Sequence, residues 1–150
     1  MHFNLKDIIT LSIAAVGAVL GTINTWHSLD QRRVRLRVVP KLAWIVAENG
    51  KTRSQVCCIE VINLSSFPLS VAETGFTLKG EKNRLAVIDL FTGDGQPFAR
   101  TVEPRRGVTA YFHLALLTSN IDKAYVRTEC GEVAYGSSPA LKQIREAARD

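Results

Sequence analysis

The sequence predicts a small all-β sandwich domain carried behind one N-terminal apolar helix, with a short helix at the C-terminus. Three observations predict it. Residues 8–26, IITLSIAAVGAVLGTINTW, run through 19 positions without a charge. The hydrophobic period then becomes two: in RRVRLRV (32–38), Val34, Leu36 and Val38 alternate with Arg33, Arg35 and Arg37. From there on, about seven to nine short apolar stretches follow one another, divided by Gly, Pro, Asn and Ser.

The first element is the apolar run. As a helix, 19 residues rise about 28 Å, close to the roughly 30 Å hydrocarbon thickness of a bilayer. Trp26 stands where interfacial aromatics collect, and the polar stripe of a soluble core helix is missing. Residues 8–26 therefore read as a transmembrane helix behind a short flank, 1–7. A cleavable signal peptide competes with this reading. It needs a basic start, a shorter apolar stretch and a small-residue cleavage site. The start has only Lys6, beside Asp7, and the apolar run continues past the weak V-x-A pattern at Val16 and Ala18.

Residues 27–33 read as a basic juxtamembrane linker. Lys and Arg near a membrane helix tend to stay cytoplasmic. Lys6 on one side against Arg32, Arg33, Arg35 and Arg37 on the other places the N-terminus outside and the domain on the cytoplasmic face of the inner membrane. Each arginine near anionic lipid adds on the order of 1 kcal/mol of attraction. The linker is short, so the domain is expected close to the bilayer. Along the helix, Thr10, Ala14, Gly17, Gly21, Asn24 and Ser28 recur every three or four residues. Such a small-residue face lets two helix backbones approach in lipid, so Ala14, Gly17, Gly21 and Asn24 are the expected packing residues of a homo-oligomer or of a pair with another protein's helix.

The domain, 34–136, begins with the arginine strand, which Pro40 should interrupt. KLAWIVA (41–47) resumes as strand and ENGK (48–51) turns. QVCCIEVIN (55–63) alternates, with Cys57, Ile59 and Val61 on one face and Cys58 and Glu60 on the other. SSFP (65–68) is a turn. PLSVAETGFTLK (68–79) is a strand with Gly75 as its bulge. RLAVIDL (84–90) is a strand, FTGDGQP (91–97) a loop, and PFARTVEP (97–104) holds a short edge strand. In GVTAYFHLA (107–115), Val108, Ala110, Phe112 and Leu114 face inward. KAYVRTE and EVAYGS flank a hairpin turn at Cys130-Gly131. In 137–150, Ser138 is placed as N-cap and Pro139 at the first helical position. Leu141, Ile144 and Ala148 share one face that caps the domain, lies on the membrane or docks a partner.

The stretch VINLSSFPLSVAETGF (61–76), a strand ending in Asn, a Pro turn and a strand ending in Gly-Phe, together with AYVRTECGEVAYG (124–136), resembles the immunoglobulin-like domains of short, uncharacterised bacterial proteins that begin with one membrane helix. The resemblance implies an immunoglobulin-like β-sandwich and brings no catalytic residues. The Cys-Trp-Cys pinning of antibody domains is not evident.

Charge and chemistry narrow the function. Of the net +5, residues 27–39 hold four Arg against one Asp, and residues 40–150 hold 14 basic against 12 acidic residues. A nearly balanced domain speaks against nucleic acid as a partner. Three cysteines, two of them adjacent and on opposite strand faces, make no disulfide framework and fit a reducing compartment. His2, His27 and His113 lie far apart, without metal-ligand spacing. Cys57-Cys58 lacks CxxC spacing. Gly93-Asp94-Gly95 with Asp89 has neither the ligand spacing of a calcium loop nor a phosphate-loop ending. Asn63-Leu64-Ser65 matches a glycosylation acceptor that would be silent in the cytoplasm.

The expected function is therefore non-catalytic, with no cofactor and no metal. The chain is expected to act as a membrane-anchored protein-binding or tethering module, with contact loops at 48–54, 64–67 and 91–96. Two alternatives are a small membrane-acting effector of defence or toxin type whose helices oligomerise, and an extracytoplasmic binding domain on an uncleaved anchor.

Overall fold

A computed structural model describes residues 5–46, 53–87 and 90–149, and the chain divides into two compact units, residues 1–33 and 34–150. The first unit is α1 (Leu5–Gln31). It is long and apolar enough to cross a membrane: Lys6–Gln31 has a mean hydropathy of 1.8 in its most apolar window, and none of that window is buried within the chain. Its hydroxyls are satisfied inside the helix. Thr10 donates to Lys6 O at 2.9 Å, and Ser12, Thr22 and Thr25 donate to Ile8, Ala18 and Gly21 carbonyls at 2.8 Å. This bonding removes most of the cost of carrying a hydroxyl in an apolar surrounding. Residues 27–31, expected in the linker, continue the helix. They contain no Gly or Pro to stop it, and Gln31 Nε2 lies 3.0 Å from His27 Nε2 one turn back.

The second unit is mostly β, with two sheets and one short helix. Sheet A has the order β1-β2-β7-β5, formed by β1 (Leu36–Val46), β2 (Arg53–Asn63), β7 (Gly107–His113) and β5 (Phe91–Thr92). Sheet B has the order β4-β3-β8-β9, formed by β4 (Arg84–Ala86), β3 (Leu69–Leu78), β8 (Ile121–Thr128) and β9 (Val133–Gly136). β6 (Arg100–Val102) also pairs with β3. All pairings are antiparallel. One hydrophobic core takes Val38, Cys57, Ile59, Val61, Val108, Ala110 and Phe112 from sheet A, and Val71, Phe76, Ala124 and Val126 from sheet B. Phe76 and Phe112 meet edge to face across it, with ring centroids 5.8 Å apart.

Pro40 does not interrupt the first strand. It stands within β1 opposite Ile59. β1 is the edge of sheet A, where a missing N–H on the open side breaks no ladder bond. The bulge expected at Gly75 lies earlier instead. The β3–β8 register shifts between Val71 and Glu73, and again between Phe76 and Leu78. The first shift moves the core-facing set from Leu69 and Val71 to Thr74 and Phe76, and Thr74 satisfies its inward hydroxyl on Tyr125 O at 2.7 Å. Gly75 has a different reason to be glycine: a Cβ there would fall 1.9 Å from Leu85 O. Of the strand expected at 84–90, Arg84–Ala86 form β4 and residues 88 and 89 lie outside the described residues; the loop expected at 91–97 opens with the two residues of β5. Leu114 leaves the strand pattern for a 3-10 turn, Leu114–Leu116. The turn expected at 48–51 lies outside the described residues.

α2 (Ala140–Ala147) buries Leu141 and Ile144 in the domain, so its apolar face is used within the fold. Ser138 does not cap it through its side chain; its hydroxyl donates to Pro40 O. Arg145 fixes the helix from the other side by donating to Ile121 O at 2.7 Å and Asp122 O at 2.9 Å. β9 passes close enough to β1 that a Cβ on Gly136 would sit 1.8 Å from Val38 O. Gly136→Ala is therefore expected to destabilise the domain by about 3 kcal/mol, the upper end of what overpacking costs, since a backbone carbonyl cannot yield as a side chain can. Gly93→Ala, where the nearest atom to the new Cβ is 3.8 Å away, is expected to be neutral. Chemical unfolding of both variants checks this.

Candidate functional site

β3 is flanked on its outer edge by two separate short strands. β6 pairs with Leu69–Val71 and β4 with Gly75–Thr77. Between them, among the described residues, the edge at residues 72–74 is met only by Val87, whose N–H reaches Thr74 O at 3.1 Å. A cleft of about 460 Å³ opens at this gap. Ala72, Ala86, Val87, Phe98 and Ala99 contribute apolar walls, and Glu73 and Arg127 contribute charge.

The bulge before Glu73 turns its side chain to the outer face of sheet B, where strand pairing sets Tyr125 and Tyr135 side by side. The Tyr125 hydroxyl donates to Glu73, and Arg127 holds the other carboxylate oxygen at 2.8 Å. Arg84 lies over the Tyr125 ring at 5.3 Å, approaches the Tyr135 ring at 5.8 Å and donates to the Tyr135 hydroxyl at 3.1 Å. The Tyr125 hydrogen bond, followed by Arg127, holds the Glu73 carboxyl below its ordinary value. Desolvation and the Glu73 bond push the Tyr125 phenol up. Each member of the network is bonded or stacked within it. It can present one apolar recess beside a fixed ion pair, an arrangement suited to holding a side chain of a partner.

The residues singled out in the sequence are placed as follows. Ala14, Gly17, Gly21 and Asn24 are all exposed on α1, and a Cβ on either glycine would meet nothing within 4 Å. Shallow grooves flank Gly21 on both sides, one lined by Leu20 and Asn24, the other by Ala18 and Trp26. Arg32 and Arg33 follow the end of α1, Arg35 precedes β1 and Arg37 is its second residue. All four are exposed.

Cys57 is a core residue, and burial pushes its thiol up. Cys58 points to the opposite face yet is also buried. Its thiol lies 3.6 Å from Lys41 O beside the 2.8 Å Lys41–Glu60 ion pair, and burial raises it too. Cys130 is exposed, with its thiol lowered by the Thr128 hydroxyl. His113 lies on the outer face of sheet A, 5.9 Å from Phe91. Asp94 is engaged by Arg100 at 2.7 Å and by the Gln96 amide, and hydrogen bonds led by that from Thr92 hold its carboxyl at about 2. His2 and Asp89 lie outside the described residues. Among the described residues no group of three or more His, Cys, Asp or Glu is placed to hold a metal.

Asn63 is fully buried, and its amide nitrogen donates to Phe67 O at 2.8 Å and Val102 O at 2.9 Å. The folded domain therefore has no free acceptor nitrogen at the Asn-Leu-Ser match, whichever side of a membrane it occupies. The Glu73 cluster had no local signature in the sequence: its members are up to 62 positions apart, from Glu73 to Tyr135, and only the phase change between Val71 and Phe76 hints at a special site in β3. Comparison with protein-family models, with curated proteins and with solved structures returns no match.

The sign of the Glu73 effect is definite. The folded state favours the ionised carboxyl, so its stabilisation is complete above the ordinary value of 4.5 and is lost as the pH falls below it. The wild type is expected to lose up to about 1 kcal/mol through this group, after allowance for solvent screening. Glu73→Gln should show a correspondingly flatter stability profile between pH 6 and 3, measured by unfolding in detergent micelles.

Proposed function

We propose that this chain is a single-pass membrane protein that displays an immunoglobulin-like β-sandwich at the cytoplasmic face and acts there as a non-catalytic binding or tethering module. The observation that carries the reading is α1. Its membrane-length apolar surface is left wholly uncovered by the chain, while the β unit closes its own core, α2 included. One part needs a nonaqueous neighbour and the other does not.

The strand order supports the immunoglobulin-like reading. With β1, β2, β7 and β5 taken as A, B, E and D, and β4, β3, β8 and β9 as C′, C, F and G, the sheets read A-B-E-D and C′-C-F-G. β6 is an addition to that scheme, and Cys57 on the second strand is a free thiol. The excess of arginines after α1 supports the cytoplasmic orientation. The cleft at the β3 edge is the proposed recognition site for an apolar side chain of a protein partner.

Self-association through the Gly17–Gly21 face belongs to the same proposal. Asn24 lies on that face, and in lipid its amide gains about 1 kcal/mol by bonding across a helix pair. The full-length chain is expected to sediment with membranes and to resist carbonate extraction. Tagged protein purified in mild detergent should bring a partner that Ala99→Trp, which fills the rim of the cleft, loses; no enrichment over background overturns the tethering role. Gly17→Ile with Gly21→Ile should reduce crosslinked dimer at least about fivefold, and unchanged crosslinking removes the helix-pairing element.

A further inference from the structure

The fold adds to the juxtamembrane arginines a second pair that the sequence places some seventy positions away. Glu103-Pro104-Arg105-Arg106 forms a turn closed by Arg106 N–H on Glu103 O at 3.0 Å. Pro104 is its first central residue and Arg105, at φ +60°, its second. This is the position that a type II turn normally gives to glycine. A side chain there costs roughly 1–2 kcal/mol. Arg105 is the one non-glycine residue among those described with positive φ, and nothing in the packing requires its side chain, which is exposed.

The turn is tied to the end of the domain where the chain enters from α1. Arg105 N–H donates to Asn63 O at 2.8 Å, Asn63 N–H to Arg106 O at 2.9 Å, and Leu64 N–H to Arg35 O at 2.8 Å. Arg37, Ile62 and Gly107 stand opposite one another across β1, β2 and β7, which puts Arg37 about 10 Å from the β7 end of the turn. Leu64, 51% exposed, lies between the two arginine-bearing segments. Only residues 32–34 separate α1 from Arg35, and four residue steps reach at most about 14 Å. The acidic residues of this end, Glu103 and, on the β8–β9 turn, Glu129 and Glu132, are outnumbered by Arg35, Arg37, Arg105 and Arg106, and the segment leading in from α1 adds Arg32 and Arg33 against Asp30.

We propose that Arg37, Arg105 and Arg106, with Leu64 between the segments, form a docking surface for the anionic headgroups of the membrane that holds α1. Guanidinium groups bind lipid phosphates in bidentate fashion, and Leu64 enters the headgroup layer. The inference rests on the anchored, cytoplasmic reading above. The αL arginine is the device: a glycine would make the better turn, and the side chain is retained for what it binds.

The test uses the full-length chain in nanodiscs of phosphatidylcholine alone or with 30% phosphatidylglycerol (roughly one anionic headgroup in three). A nitroxide is placed at Leu64→Cys in a Cys130→Ser background, Cys57 and Cys58 being buried. Its collision rate with an aqueous nickel reagent is expected to fall at least about threefold in the anionic discs and to recover in 1 M salt, where the Debye length is about 3 Å. Arg105→Gly should raise the collision rate towards the neutral-disc value without lowering the unfolding midpoint. Arg106→Gln should act likewise, each arginine changing the docked-to-undocked ratio roughly fivefold. Equal collision rates in the two lipids, or unchanged rates in both variants, overturn the docking surface while leaving the anchor standing. Failure of the chain to enter the discs overturns both.

Discussion

One buried side-chain amide holds the entry end of the β unit together. Asn63 ends β2 on the core-facing side of sheet A, and its nitrogen binds carbonyls of the 64–68 turn and of β6, which belongs to sheet B. Its side-chain oxygen receives the Ser65 amide at 2.9 Å, and Ser65 Oγ receives the Arg35 amide at 2.8 Å. Through these bonds β1, β2, the β2–β3 turn and the β6–β7 turn are fixed to one another without a disulfide. A neutral amide suits the position because it supplies two donors and an acceptor. A carboxylate would lack the donors, and an apolar residue would leave buried carbonyls unpaired, at about 1–3 kcal/mol each. Among the described residues no buried side-chain nitrogen or oxygen is left without a partner, so the sheets close here without that cost.

That constraint explains which parts of the fold were legible. The alternation of β2 and β7 was readable because each has one core face, and Val61, Ile59 and Cys57 meet Val108, Ala110 and Phe112 in register. The bulge in β3 was misplaced because glycine is a frequent mark of bulges. The better signal was the phase slip from Leu69 and Val71 to Thr74 and Phe76, with Gly75 needed instead for the close passage of Leu85 O. Pro40 misled because whether a strand is an edge is a property of the sheet order, which no local pattern encodes. Ser138 misled for a related reason: its hydroxyl is turned towards Pro40 O, which arrives from the other end of the chain, and makes no capping bond to the helix.

The polar clusters were not legible. Glu73, Arg84, Tyr125, Arg127 and Tyr135 come from four strands, and each alone reads as an ordinary surface residue of a strand. What assembles them is register: Gly75 stands opposite Tyr125, and Tyr125 opposite Tyr135. The same holds for Arg105 and Arg106. In the sequence they are a basic pair after a proline; in the fold, hydrogen bonds to Asn63 bring them to the end of β2, the strand that pairs with Arg37 of β1. Charge counted along the chain found one basic stripe, and charge placed by the fold finds a second beside it.

The two units also differ in how their apolar surface is answered. In the β unit, nearly every large apolar side chain of the central strands is buried, and α2 closes the remaining side with Leu141 and Ile144. α1 has ten large hydrophobic residues exposed, from Ile8 to Leu29. At roughly 1.5 kcal/mol for each such side chain, water around α1 would cost on the order of 15 kcal/mol, as much as the whole stability of an ordinary domain. The uncovered apolar surface of α1 is therefore the part of the chain that calls for a nonaqueous neighbour, which is the ground of the anchor proposed above.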